Sequence, residues 1–102
     1  MYGAVVNGEV DVISAFSSDG RIARYDLVTL TDPKQALPPY DAVLLLAPRR
    51  ADDKALRDAL MPLVGKIDVE LMRAANLLAD RDEDKQTPAQ AARWLWKQID
   101  AQ

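Results

Sequence analysis

Cysteine and histidine are both absent from this 102-residue chain. Their absence excludes disulfides, Cys/His metal sites and every catalytic scheme that needs a thiolate or an imidazole. Basic clusters are missing too. Nothing exceeds the pair Arg49-Arg50, the net charge is −3 and the pI is near 4.8, which leaves no electrostatic footprint for nucleic acid. The longest apolar run, Ala42 to Ala47, is too short to cross a bilayer. After Met1 the residues Tyr-Gly-Ala-Val-Val-Asn show neither a basic n-region nor a long apolar stretch, so if the protein is exported its targeting information is expected upstream, in a longer parent. No glycine-rich phosphate cradle is present, and the acidic stretch Asp80–Asp84 lacks the glycine and spacing of a calcium loop. No cofactor or metal is therefore expected. Without His, Cys or a suitably placed lysine no nucleophile–base pair can be assembled, and no catalytic residue is assigned.

What is present is an ordinary globular composition, 49% apolar and 28% charged, sufficient for one domain with a modest core. Residues 2 to 7 are short and apolar and end at Asn7-Gly8, a turn or helix C-terminal signal. Glu9-Val10-Asp11-Val12-Ile13 reads as a strand carried on to Phe16, and Asp26–Leu30 as a second. Val43–Ala47 reads as a third, buried on both faces. From Asp52 the pattern becomes helical, with Leu56, Ala59, Leu60, Leu63 and Val64 on one stripe. Pro62 is expected to kink or tighten that helix before Gly65 stops it. Asp68 is the expected N-cap of a helix carrying Leu71, Met72, Ala75 and Leu78, with Asn76 hydrogen-bonded in a packing role. Thr87-Pro88-Ala89-Gln90 combines a capping box with proline at the first helical position. The helix it opens is expected to turn Ala91, Ala92, Leu95 and Ile99 to the core. Trp94 and Trp96 point to different faces, so only one joins it. Three strands followed by three helices predict an α/β or α+β layer structure.

Two motifs go further. The apolar run at Val10–Phe16 breaks at Ser17-Ser18-Asp19-Gly20-Arg21-Ile22, with an aromatic just before the break. A second aromatic follows the stiff step Pro38-Pro39, in Pro38-Pro39-Tyr40-Asp41-Ala42. The pair resembles the ligand-binding end of the solute-binding proteins of glycine betaine, carnitine and choline importers of the ABC class. In that family the matching stretches read as an aromatic followed by Ser-Thr-Asp-Gly-Arg-Ile, and Pro-Pro-Tyr-Asn/Asp-Ala. The resemblance runs from about Tyr2 to Trp96 and covers only the C-terminal part of such a protein.

The resemblance implies a type II periplasmic-binding-protein-like fold, of which this chain is a fragment. Residues 1–25 would be a crossover segment from the other lobe, and residues 26–102 a lobe with its C-terminal helices. It implies a quaternary-ammonium solute held outside the cytoplasmic membrane, in the periplasm or at the extracytoplasmic face. It implies delivery to an ABC permease, to which some members are fused. A quaternary ammonium cannot donate a hydrogen bond, so aromatic faces must hold it. Carried over, the ligand-binding residues are Phe16 and Tyr40, with Ser17 a further ligand candidate. Phe16 stands where tyrosine is common, keeping the π face and losing the hydroxyl. Asp19, Gly20, Arg21 and Asp41 read as turn residues beside the site: Asp19 caps, Gly20 can take φ > 0, Arg21 pairs locally, and Asp41 bonds the backbone at the Pro-Pro turn. Apolar segments cut from their sheet invite pairing, so a homodimer of the isolated chain is expected. A competing reading is a free-standing small interaction domain of binding-protein ancestry without a transport role.

Overall fold

The computed structural model describes residues 1–101, and among them every regular element is helical. These elements are α1 (Tyr2–Val6), α2 (Gly20–Arg24), α3 (Lys54–Leu60), α4 (Val69–Asp80) and α5 (Pro88–Asp100), with 3-10 turns at Pro48–Arg50 and Met61–Leu63. The chain divides into two compact units. One joins Met1–Thr29 to the chain from Ile67 onward, and the other is Leu30–Lys66. No helix among the described residues is long and apolar enough to cross a membrane.

The first unit is organised by α4. Asp68 starts it, its carboxylate accepting the Leu71 amide at 2.8 Å, with Glu70 in the positively polarised first turn. After α4 the chain turns back through Asp84, where φ is +50°, and the Arg81 guanidinium holds the Asp84 carbonyl at 2.7 and 3.0 Å. At the head of α5 the Thr87 hydroxyl accepts the Gln90 amide at 3.2 Å, and the Gln90 side chain accepts the Thr87 amide at 2.8 Å. This is the reciprocal capping box, with Pro88 spending no amide. The buried apolar side chains are Tyr2, Ile22, Ala75, Ala91 and Ile99, all in this unit. Trp94 is half-buried and Trp96 exposed, as their spacing requires, while Ala92 lies on the exposed side of α5 rather than in the core.

Helix α2 lies against α4 so closely that glycine is required. A Cβ on Gly20 would stand 2.5 Å from the Leu77 nitrogen and 2.7 Å from its Cα. The expectation of a positive φ at Gly20 is replaced by this steric one, since the positive-φ glycines are Gly8 and Gly65.

The second unit contains no fully buried residue. Its first part forms no regular element and includes a turn at Asp32, whose carboxylate accepts the Leu37 amide at 2.8 Å. That bond, with further ones from Ala36 and Lys34 amides, holds the Asp32 carboxyl below its ordinary pKa. Asp53 caps α3 through the Leu56 amide at 2.9 Å and pairs with Arg50 at 2.9 Å. Pro62 converts the end of α3 into the 3-10 turn, and Gly65 stops it at φ +70°, as its sequence predicts.

The expected α/β fold with three strands is not what forms. Segments 9–16, 26–30 and 43–47 contain no strand, and no ladder bonds join them among the described residues. Val43–Ala47, expected to be buried on both faces, is largely exposed, with Leu45 at 88%. β-Branched and apolar residues favour a pleated surface only where a neighbouring strand supplies hydrogen bonds and side-chain contacts. Here no neighbour does. The helices α1 and α2 lie outside all three expected strands, and each is too short for a helical period to register in sequence.

Candidate ligand-binding site

The residues singled out by the sequence fall in both units. Phe16, Ser17, Asp19, Gly20 and Arg21 belong to the first; Tyr40 and Asp41 belong to the second. Tyr40 is exposed, and Asp41 with it.

The first group is a tightly specified turn. The Phe16 carbonyl accepts the Asp19 amide at 3.0 Å, closing a four-residue turn. The Ser17 carbonyl is gripped by both Nε and Nη2 of Arg73 on α4, at 2.9 and 2.7 Å. The Ser18 carbonyl accepts Nδ2 of Asn76, one turn further along, at 2.8 Å. Asp19 is the N-cap of α2, accepting the Arg21 amide at 3.0 Å. Each backbone group that the turn directs toward α4 is thus paired, which a half-buried loop requires.

Asp19 also receives the Arg21 guanidinium in a two-point fork, Nε to Oδ1 at 3.0 Å and Nη2 to Oδ2 at 2.8 Å. These bonds hold the Asp19 carboxyl down at about 2, against the opposing effect of its partial burial. The same guanidinium lies 4.3 Å from the centroid of the Tyr2 ring, a cation–π contact. Tyr2 is buried, and its hydroxyl has no hydrogen-bond partner of ordinary geometry. Burial first, and the nearby Asp19 carboxylate second, raise its pKa.

Beside this cluster runs a shallow groove of about 390 Å³ whose lining includes Phe16, Tyr2, Asp19 and Arg21. Phe16 is 64% exposed there. Such a ring can meet a cation with its π face, while the Asp19–Arg21 pair adds no net formal charge to the wall. A comparable depression of about 410 Å³ in the second unit is lined by Asp52, Lys54, Arg57, Asp58 and Met61, with the exposed Lys54–Asp58 pair in its wall. It holds no aromatic residue.

Two residues of this arrangement escaped the sequence reading. Arg73 carried a legible signal, because it sits three positions before Asn76 and so shares its helix face. Tyr2 carried none beyond being aromatic in an apolar pentapeptide.

Comparison with known proteins gives two findings. The family model "Substrate binding domain of ABC-type glycine betaine transport system" matches residues 1–98. Two sequences of the carnitine transport binding protein OpuCC, one from Listeria monocytogenes serotype 1/2a (strain 10403S) and one from Listeria monocytogenes, are each 38% identical over 81 residues. That alignment covers 78% of this chain and 26% of the relative, so the chain spans about a quarter of the length of the curated relatives it matches. No solved structure matches.

Proposed function

Because the chain belongs to the family of substrate-binding domains of ABC-type glycine betaine transport systems, a family of binding proteins and not of enzymes, we propose that it serves as the C-terminal part of a solute receptor for quaternary-ammonium osmoprotectants. The solute class comprises glycine betaine, carnitine and choline. Phe16 and Tyr40 supply aromatic faces to the cation, and Ser17 contributes a polar contact. The receptor works on the extracytoplasmic side and hands its solute to the ABC permease. In the isolated chain the site is incomplete, and the chain pairs with a second copy.

The observation that carries this reading is the exposed Phe16 ring in the lining of a groove, on a turn whose backbone is held on α4 by Arg73 and Asn76. The family membership supports the solute class, and so does the carnitine transport named for the OpuCC relatives.

Calorimetric titration of glycine betaine, carnitine and choline into the longer polypeptide that this reading requires is the test, repeated with Tyr40→Ala. Saturable binding is expected in the parent. In the variant a loss of about five- to thirtyfold is expected, corresponding to roughly 1–2 kcal/mol for one desolvated cation–π contact. Absence of binding to all three solutes would remove the quaternary-ammonium function.

A further inference from the structure

We infer that Arg73, assisted by Asn76, is a positioning residue that sets the pose of Phe16 for ligand binding. This rests on the proposed function, and it deepens that reading by assigning a role to a helix that contributes no aromatic group.

Phe16 is the first residue of the turn, and its carbonyl is engaged by the Asp19 amide at 3.0 Å. The next two carbonyls are engaged by α4, through Arg73 on Ser17 and Asn76 on Ser18. Asp19 is committed to the start of α2, and Gly20 is packed against the backbone of Leu77. From residue 16 to residue 20 every position is therefore tied down, and three of the five ties end on α4. A binding ring has to be held in place before the ligand arrives, because ordering it on binding subtracts from affinity. The bonds to α4 fix the backbone on the C-terminal side of Phe16, and with it the direction in which the ring leaves the chain.

Arginine suits the grip better than lysine would. Two N–H groups of one planar guanidinium reach a single carbonyl oxygen, fixing direction as well as distance. A lysine ammonium could donate to that oxygen but would leave the direction free. The Arg73 and Asn76 bonds also span 56 and 58 residues of sequence, so they tie the candidate site to the C-terminal helices. Neither α1 nor α2 offers an equivalent anchor for the Ser17 carbonyl among the described hydrogen bonds.

Phe16 is the one phenylalanine in the chain, so fluorophenylalanine labelling reports on it alone. Arg73→Ala is expected to shift and broaden the Phe16 fluorine resonance while the far-ultraviolet helical signal persists. Asn76→Ala should shift it less, Arg73→Lys should give an intermediate result, and Arg93→Ala, on exposed α5 surface, should leave it unchanged. In the longer polypeptide, Arg73→Ala should weaken solute affinity at least tenfold, with partial recovery in Arg73→Lys. A merely structural role would lower the unfolding midpoint without moving the Phe16 resonance of the folded protein. An unchanged resonance in folded Arg73→Ala overturns the inference, as does unchanged solute affinity. If Arg73→Ala does not fold, Arg73→Lys and Asn76→Ala carry the same comparison. If the wild type binds none of the three solutes, the functional reading fails, and the resonance still decides whether Arg73 positions Phe16.

Discussion

At Asp19 a single carboxylate caps a helix and receives a two-point guanidinium fork. The cap needs only an acceptor oxygen, which asparagine also provides, whereas the fork needs the charge. The two contributions can therefore be separated by pH. The folded carboxyl sits at about 2, below the ordinary value of 3.8, so its ionised form is favoured by folding. Its contribution to stability is complete above the unfolded pKa and is lost as pH falls through the folded one. Wild type is expected to be more stable than Asp19→Asn at pH 5 and to converge on it by about pH 2. Urea unfolding across that window measures the convergence, and a difference that stays constant to pH 2 would assign the stabilisation to something other than ionisation. Arg21 is itself about half exposed, so solvent screens the pair and the gap should shrink in added salt.

Between elements, the contact that matters most to the candidate site is α2 on α4, and Gly20 sets its distance. A methyl there would lie inside the van der Waals radius of the Leu77 backbone, which cannot rotate away as a side chain could. Gly20→Ala is expected to cost about 1–3 kcal/mol, the range for forcing extra atoms into a packed contact. Thermal unfolding compared with Gly3→Ala, where a Cβ meets nothing within 4 Å, isolates the steric effect. Equal stability of the two variants would show that α2 can move off α4 freely. The elements themselves were legible in proportion to how local their causes are. The Asp68 cap, the Thr87–Gln90 box, the Pro62 tightening and the Gly65 stop each depend on residues within one turn, and each forms where its residues predict. The strands expected around Val12, Val28 and Leu45 depend on partners distant in sequence, and the same apolar residues remain irregular and exposed without them. In the candidate site the Ser-Ser-Asp-Gly turn was legible for the same local reason. The grip of Arg73 on Ser17, spanning 56 residues, was not.

For the whole molecule the deciding quantity is surface. Much of the exposed surface is apolar: Val28, Leu30, Val43 and Leu45 are each at least two-thirds exposed, on segments whose backbone forms no ladder among the described residues. Exposed apolar side chains beside unpaired backbone groups favour association with another chain. The isolated chain is therefore expected to run as a homodimer of twice 11.3 kDa in sizing with light scattering. Leu45→Lys should shift it toward monomer, since a lysine on that segment would have to be desolvated on pairing. In the longer polypeptide of the proposed receptor these segments would be covered by the protein's own chain, and self-association should vanish. A monodisperse monomer of the isolated chain at high concentration would count against pairing. A dimer that persists in the longer polypeptide would show that the exposed segments serve association between copies rather than completion of one receptor.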